Sequence, residues 1–391
     1  MKISKDKISI LLIIIFLLPY FTTYLSITNE FIYKVTVVFR IISFIVITIA
    51  NVLDLSKKLE ISNITIISIL SVILLFISTI INRGSYSKFL GYLVTSLGIL
   101  FTISYYIKRN KENLLTGIVY TFRIMIYINF IAMILYPDGL YKVYDIYSSA
   151  VIRYNFLGLD NGISPYFITL MGFSLCREYN FKSKVGLMCK VDIMISVISI
   201  IFYWSATAII GFMAFIIFIL LAKFLNRIIN LNTLYKLILI LSIVLVVFGG
   251  TGVLAPFLEN FLKRDITLTG RTYIWKEAIT MILKKTCLGY GIQNTPNIVY
   301  FFIYNDYRTA HNEYLQVLLN GGLFYFFCLV FQLVIVKNNI VKFGQNNLTC
   351  VIMSSTIVSL MVMMIAESYG QMLCLYMVLY FSYYFFRKIR L

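Results

Sequence analysis

The chain has 391 residues, of which 60% are hydrophobic and 13% are charged. Soluble domains carry about 25% charged residues, so a water-soluble core does not account for this much apolar sequence. The net charge of +18 would suggest nucleic acid as the partner of a soluble protein. Beside membrane segments, however, basic residues report first on topology, and no nucleic acid partner is expected.

Apolar segments long enough to cross a bilayer recur along the whole chain. They predict an all-α integral membrane protein of about twelve transmembrane helices. The predicted spans are 8–27, 31–53, 61–81, 89–107, 114–136, 163–176, 188–204, 208–222, 235–255, 312–336, 349–367 and 371–386. The first follows the basic start Met1–Lys7 and is expected to be retained, because no small-residue cleavage site follows it.

The basic residues predict the orientation of these spans. With a cytoplasmic N-terminus, every predicted inner loop carries lysine or arginine, as the positive-inside rule requires. An even number of spans then places both termini in the cytoplasm.

Two predicted outer segments, 137–162 and 256–311, are longer than the usual helix connection. The second carries Ile274, Trp275 and Ile279 at helical spacing, which favours a folded subdomain over a disordered tether. The chain is therefore expected to have three parts: 1–255 with nine spans, a large extracytoplasmic loop at 256–311, and 312–391 with three spans.

Arg271 lies in the first turn of the helix predicted within that loop, with Thr269 as its cap. The helix dipole disfavours an arginine there, which suggests a functional role such as a phosphate clamp through two parallel guanidinium donors. The alternative is an arginine that binds anionic lipid headgroups. The later run Cys287–Gly291 is typical of a glycine-rich turn or of a close backbone approach.

The densest polar cluster is Arg308–Gln316, at the start of the predicted tenth span. His311, the single histidine, can accept a proton near neutral pH. Asn312 lies one helical turn before Gln316 and would line the same polar mouth, and Gly321-Gly322 would allow another helix or a substrate to approach closely. An interfacial cap that only anchors the helix fits this spacing equally well.

Other ionisable residues lie at membrane depth. Arg40 and Arg123 should face the bundle interior or a wet cavity. Glu367 is expected to pair with one of them or with a loop arginine, whereas Asp192 is interpreted as an inner-boundary residue. Structural pairing is the default for these residues, and substrate binding is the alternative. Arg153, in the first long outer segment, is a candidate to share the cavity.

The stretch 269–325 resembles the O-antigen polymerase and O-antigen ligase superfamily. Ligase-like members have His, then Asn, Ser or Gln, nine residues, Gly, two residues, and Gly, Thr or Tyr. Here His311-Asn312 precedes nine residues and then Gly322-Leu323-Phe324-Tyr325. The runs Gly270–Trp275 and Leu288–Gly291, and Arg153 before Gly158, are also similar to the family's pattern. Ser205-Ala206-Thr207 departs from it, because many members have a Ser-Arg pair there.

This resemblance implies a GT-C-like glycosyltransferase at the outer face of a bacterial cytoplasmic membrane. Its donor would be an undecaprenyl-pyrophosphate-linked oligosaccharide, used without nucleotide sugar, metal or other cofactor. His311 would be the catalytic base or hydrogen-bond orienter, Arg271 would stabilise the leaving pyrophosphate, and in-line attack would invert the anomeric centre. The other predicted substrate-binding residues are Arg153, Arg308, Asn312, Gln316, Glu367, Arg40 and Arg123.

Polymerisation of repeat units into O-antigen or capsular polysaccharide is the preferred activity. Ligase-type transfer of a finished glycan is the alternative, because both activities share the motif. A transporter is the reading from a different class: it would fit twelve spans and buried arginines, but it predicts paired half-molecule symmetry that the sequence does not show. Membrane lipid is an expected partner, and a chain-length regulator protein is a further candidate.

Overall fold

The computed structural model describes residues 4–21, 28–55, 61–145, 150–182, 184–224, 271–301, 305–344, 347–370 and 372–387, with the single positions 233, 236 and 240. Two predicted features lie outside these residues: the cap at Thr269 and the motif residue Gly270. The predicted span 235–255 also lies outside them, apart from positions 236 and 240.

Long apolar helices dominate the structure. They are α1 (Lys5–Leu17), α2 (Glu30–Leu55), α3 (Asn63–Ile81), α4 (Tyr86–Ile107), α5 (Lys111–Leu135), α6 (Asp160–Phe181), α7 (Leu187–Tyr203), α8 (Ala206–Phe224), α9 (Arg271–Lys284), α10 (Glu313–Gly344), α11 (Leu348–Ala366) and α12 (Leu373–Phe385). A short 3-10 turn, Leu18–Tyr20, follows α1. Polar residues define several starts: the side chains of Ser62, Asn110 and Asn347 accept backbone N–H groups in the first turns of α3, α5 and α11.

Within the described residues, six helices are long and apolar enough to cross a membrane: α2, α3, α4, α5, α10 and α11. Two more, α8 and α12, are shorter apolar helices. Each predicted span other than 235–255 overlaps a helix. The prediction of an all-α membrane protein is confirmed in class, and the number of crossings stays a prediction.

Two short antiparallel hairpins were not expected from hydropathy. In the first, β1 (Tyr141–Asp145) pairs with β2 (Ala150–Tyr154), and Tyr141 lies opposite Tyr154. In the second, β3 (Val299–Phe301) pairs with β4 (Asp306–Arg308). Both lie in the segments predicted to be long outer loops, so these segments carry strands as well as the predicted helix α9.

The helix ends fall on two sides of the bundle. We call one side the site end, because it holds the residues around Glu367; the turns at 82–85, 155–161 and 204–205 lie there. The other side, the basic end, holds the Arg109–Asp54 ion pair and the hydrogen bond between Asn113 and Asp6. Its basic residues include Lys5, Lys7, Lys108, Arg109, Lys111, Arg177, Lys182, Lys190, Lys342 and Arg387.

Helix α10 is interrupted at Gly322, where φ is 66° and ψ is −166°. The run 286–291, which we call the docking segment, lies against this break. Leu319 and Asn320 carbonyls accept the amides of Tyr290 and Gly291 at 2.7 and 2.8 Å, and Leu323 donates to the Thr286 carbonyl at 2.8 Å. The close backbone approach that Gly321-Gly322 predicted is therefore made by the chain's own glycine-rich segment.

The docking segment is also bonded to α3 and the turn after it. Asn82 donates to the Gly289 carbonyl at 3.0 Å, and Thr79 accepts the Ile292 amide at 3.1 Å. Just before this segment, α9 buries Ile274 and Trp275 in a small core that α10 completes. The elements between residues 271 and 310 are thus fixed against the start of α10, which sets the position of the site.

Candidate functional site

Glu367 directly follows α11 and is the centre of a polar cluster. Its side chain is 11% exposed, and three side chains bond its carboxylate. His311 Nδ1 lies 3.0 Å from Oε1, while Arg271 Nη2 and Asn161 Nδ2 lie 3.1 and 3.0 Å from Oε2. This single carboxylate therefore joins the starts of α6, α9 and α10 to the end of α11.

The turn before α10 fixes His311. Its φ of 45° lies in the left-handed region, which costs a non-glycine residue about 1 kcal/mol or more and persists only where surrounding contacts enforce it. Asn312 supplies those contacts: its Oδ1 accepts the Leu315 amide at 3.0 Å, its Nδ2 donates to the Ile365 carbonyl at 2.8 Å, and its amide donates to Ser368 Oγ at 3.1 Å. Asn312 thus caps α10 and holds it to the end of α11.

Two further side chains of α10 hold the adjacent turns. The buried carboxylate of Glu313 accepts the Tyr369 amide at 2.5 Å, two residues beyond Glu367. Gln316 Oε1 accepts the amide of Ala310, the residue before His311, at 3.0 Å. The polar face of the first helical turn therefore positions both the histidine and the carboxylate that it meets.

Opposing effects act on the pKa of Glu367. Burial by itself raises it, but the His311 hydrogen bond and charge, the Arg271 charge and the Ser368 amide together hold the pKa below its usual range. Glu367 is therefore ionised at neutral pH. An ionised partner at Nδ1 requires that nitrogen to carry the proton, which leaves His311 Nε2 as an acceptor. The imidazole is 30% exposed, so a substrate hydroxyl has access to it.

An apolar cavity of about 290 Å³ lies beside the cluster, between the starts of α6 and α12 and the C-terminal half of α11. Its walls include Pro165, Tyr166, Met364, Tyr369, Gly370 and Leu373. Tyr369 and Gly370 follow Glu367 closely in the chain, so the polar cluster and the apolar space share a wall.

The predicted arginines Arg308 and Arg153 lie near the cluster but do not bond its carboxylate. Arg308, in β4, pairs with Asp306 at 3.2 Å. Arg153, in β2, pairs with Asp138 at 3.5 Å and is 57% exposed. Its charge nevertheless reaches the start of α6: burial raises the pKa of Asp160, while a hydrogen bond from Asn155 and the charge of Arg153 lower it in part.

Arg40 and Arg123 lie elsewhere in the bundle. Arg123 forms a two-pronged ion pair with the fully buried Asp192, at 2.8 and 2.6 Å, and Tyr127 donates to the same carboxylate. Asp192 is thus the buried partner of Arg123, and its interpretation as an inner-boundary residue stays a prediction. Arg40 donates through Nε to the Pro19 carbonyl at 3.0 Å. Neither arginine bonds Glu367, and substrate binding by them stays a prediction.

Sequence reasoning missed Asn161 as a site residue. It donates to Glu367 and accepts a 2.6 Å hydrogen bond from Ser205 Oγ, so Ser205 is linked to the cluster although the arginine of the family's Ser-Arg pair is missing here. The available signal was weak, because an asparagine after Asp160 at a helix start is typical of ordinary capping.

In the part of the chain that the structure describes, no group of three or more His, Cys, Asp or Glu residues is placed to hold a metal ion. The guanidinium of Arg271 gives the cluster a positive charge next to the Glu367 carboxylate.

The long apolar helices define the class, a membrane protein. At one end of their bundle lies a polar site in which a buried carboxylate meets a histidine and an arginine. Residues 193–330 match the O-antigen ligase family model, which confirms the resemblance to the O-antigen polymerase and ligase superfamily. No curated protein and no solved structure matches the chain. The family match supports polymerase- or ligase-type function and does not favour a transporter.

Proposed function

We propose that the protein is a membrane glycosyltransferase that joins undecaprenyl-pyrophosphate-linked oligosaccharide repeat units into O-antigen or capsular polysaccharide. The observation that carries this proposal is the Glu367 carboxylate, which bonds both His311 and Arg271 at the end of an apolar helix bundle. His311 and Arg271 both lie within the matched residues 193–330.

In the proposed reaction, a hydroxyl of the acceptor sugar attacks the anomeric carbon of the donor. His311 Nε2 accepts the hydroxyl proton, while Glu367 holds the ring and stabilises the imidazolium that forms. The bond from the anomeric carbon to the phosphate oxygen breaks, and the lipid pyrophosphate leaves with the electron pair. Such a single in-line displacement inverts the anomeric centre.

Arg271 is placed to stabilise the leaving pyrophosphate. It uses Nη2 for Glu367, and within the described structure no other residue bonds its remaining N–H groups. A guanidinium stays protonated and matches the spacing of phosphate oxygens, so it can supply positive charge where other glycosyltransferases use a metal ion.

The surroundings of the cluster suit an amphiphilic substrate. Tyr369 and Gly370, which closely follow Glu367, line the apolar cavity, so a lipid-bearing donor would meet apolar side chains near the fixed charges. The lysines and arginines at the basic end support a cytoplasmic placement of that end and of both termini, with the site at the outer face.

The decisive experiment incubates the purified protein with a defined lipid-linked repeat unit and resolves elongated products by size. We expect His311→Ala and Arg271→Ala each to lower the extension rate by about a hundredfold or more, the range for a lost proton acceptor or charge stabiliser. Lys276→Ala, an exposed change on the same helix as Arg271, should keep the parental rate. Unchanged extension by both site variants would overturn the proposal.

The ligase alternative is supported by the description of the matching family model, O-antigen ligase. The two activities differ in the acceptor. Deletion of a polymerase leaves single-repeat products, whereas deletion of a ligase leaves long chains on the carrier lipid. A normal ladder of carrier-linked chains in the deletion strain would exclude the polymerase and favour the ligase.

A further inference from the structure

A second, open groove lies outside the Glu367 cluster, along the chain between the docking segment and the β3–β4 hairpin. Its volume is about 510 Å³. The side chains that line it are mostly amides, hydroxyls and tyrosine rings, among them Asn82, Lys285, Tyr290, Asn294, Asn297 and Tyr307. The proposed reaction does not use this groove, although Tyr290 in its wall belongs to the run Leu288–Gly291 that resembles the family's pattern.

The groove presents polar groups that remain available to a ligand. Asn294 and Asn297 are exposed, and their side-chain amides bond no other residue in the described structure. Each amide offers a carbonyl acceptor and two N–H donors, the combination that pairs with neighbouring sugar hydroxyls. Tyr307 is 55% exposed and lines the same groove, where its ring can pack against the apolar C–H face of a sugar.

The floor of the groove is built rigidly. Lys285 Nζ bonds Asn82 Oδ1, and the ammonium lies 4.7 Å from the centre of the Tyr290 ring. Backbone hydrogen bonds of the docking segment to α10 fix Tyr290. A lysine held in this way has lost its rotamer freedom before any ligand arrives, which lowers the entropic cost of binding.

The groove and the site share supporting elements. Tyr307 lies on β4, four residues before His311, and Tyr290 donates its amide to Leu319 in the helix that begins beside His311. A chain of sugars whose end reaches His311 could therefore continue along the surface between α3 and the β3–β4 hairpin.

We propose that this groove is a saccharide subsite that holds the part of a glycan chain remote from the reacting bond. This inference rests on the proposed glycosyltransferase function. It adds to that function a surface where the enzyme contacts the earlier sugars of a growing chain, so that chain length affects binding. Amide hydrogen bonds, a tyrosine ring and a fixed lysine are its binding groups.

The test compares the parent with an Asn294→Ala/Asn297→Ala double variant and with Tyr307→Ala, all as purified full-length protein. The probe is the repeat-unit oligosaccharide released by mild acid from the host's lipid-linked intermediates, fluorescently labelled at its reducing end, with binding followed by fluorescence anisotropy. We expect about tenfold weaker binding for each groove variant, as for the loss of one or two neutral hydrogen bonds or a packed ring. Tyr86→Ala is the matched control, because Tyr86 is comparably exposed near the same end but does not line the groove.

A second readout separates this inference from the proposed function. With defined lipid-linked donor, the groove variants should make shorter products than the parent, whereas Tyr86→Ala should make products of parental length. Parental binding and product length in both groove variants would overturn the saccharide subsite while leaving the glycosyltransferase proposal intact. A parent protein that transfers no sugar at all would instead overturn the proposed function.

Discussion

At the residue scale, the proposed reaction assigns Glu367 a role that it exerts through its partners. It touches no substrate in the proposed reaction, and it acts by holding His311 in one tautomer and Arg271 in one place. A carboxylate behind a histidine fixes the tautomer of the ring and stabilises the imidazolium that forms when the free nitrogen accepts a proton. The effect depends on its negative charge rather than on its shape.

Glu367→Gln removes that charge with little change in volume. We expect the extension rate at saturating donor to fall by about a hundredfold, because proton acceptance by a positioned base contributes about 10² to 10⁴ in rate. The measurement is kcat and KM for the defined donor across a pH series. A positioning role predicts a lower kcat and a shifted pH profile with stable, folded protein.

Glu30→Gln is the control for this change, since Glu30 is exposed and, among the described residues, forms its ion pair with Lys34 one turn away. It should leave rate and pH profile unchanged. Parental kcat and pH profile in Glu367→Gln would show that the buried carboxylate is not needed for the reaction.

The site residues differ in how far the sequence predicts them. His311 and Arg271 were predictable, because their motif spacing and their position beside an apolar segment are local features. Glu367 was predictable as an ionisable residue at the end of a span, and its pairing with a loop arginine is observed. Asn161 was not, because only the packing of α6 against α11 brings its amide to a carboxylate far away in the chain.

At the element scale, the backbone conformation of Gly322 accounts for the glycine that the motif places nine residues after His311-Asn312. Its φ and ψ lie in a region that is essentially restricted to glycine, and a Cβ there would overlap the Cys287 carbonyl. The break in α10 exposes backbone groups that the docking segment then satisfies. Helix break and docking segment are therefore one structural unit.

Gly322→Ala should destabilise the protein by about 1–3 kcal/mol through strain and displacement of the docking segment. The measurement is the thermal unfolding midpoint of purified protein in detergent. Gly91→Ala is the matched control, because an added Cβ at Gly91 meets nothing within 4 Å, and it should be neutral or slightly stabilising. Equal unfolding midpoints for the two variants would contradict the assigned role of the break.

The hairpins show where element prediction fails. A membrane span is set by composition, so hydropathy located α2 to α5 directly. The strands β1 and β2 each have five residues of mixed polarity, and their order depends on pairing with each other rather than on any local signal. Hydropathy also fails to predict the break in α10, since Gly322 is part of an apolar segment but has a non-helical conformation.

At the scale of the whole molecule, the Arg123–Asp192 pair links α5 to α7 inside the bundle. Removal of one partner leaves an uncompensated buried charge, so Asp192→Ala should cost about 3–5 kcal/mol of stability. An Arg123→Leu/Asp192→Leu double variant should recover much of that loss. Thermal unfolding and extension rate are measured for both.

This comparison also decides whether Arg123 binds substrate. If the pair is structural, the double variant extends chains at a rate close to that of the parent. A double variant that is stable but inactive would instead give Arg123 a direct role in the reaction.

The orientation of the bundle is the remaining whole-molecule prediction, and it follows from charge alone. Lysine or arginine lies in or beside several described turns of the basic end, for example Lys108, Lys182 and Lys342, and translocation of such short loops is unfavourable. Starting from Cys287→Ser, which removes the exposed native thiol, Tyr300→Cys at the site end should react with a membrane-impermeant maleimide in intact cells. Asn338→Cys at the basic end should react only after the membrane is permeabilised. Because the proposed donor reaches the enzyme at the outer face, labelling of the two positions in the reverse order would place His311 and Glu367 in the cytoplasm and remove the site from its substrate.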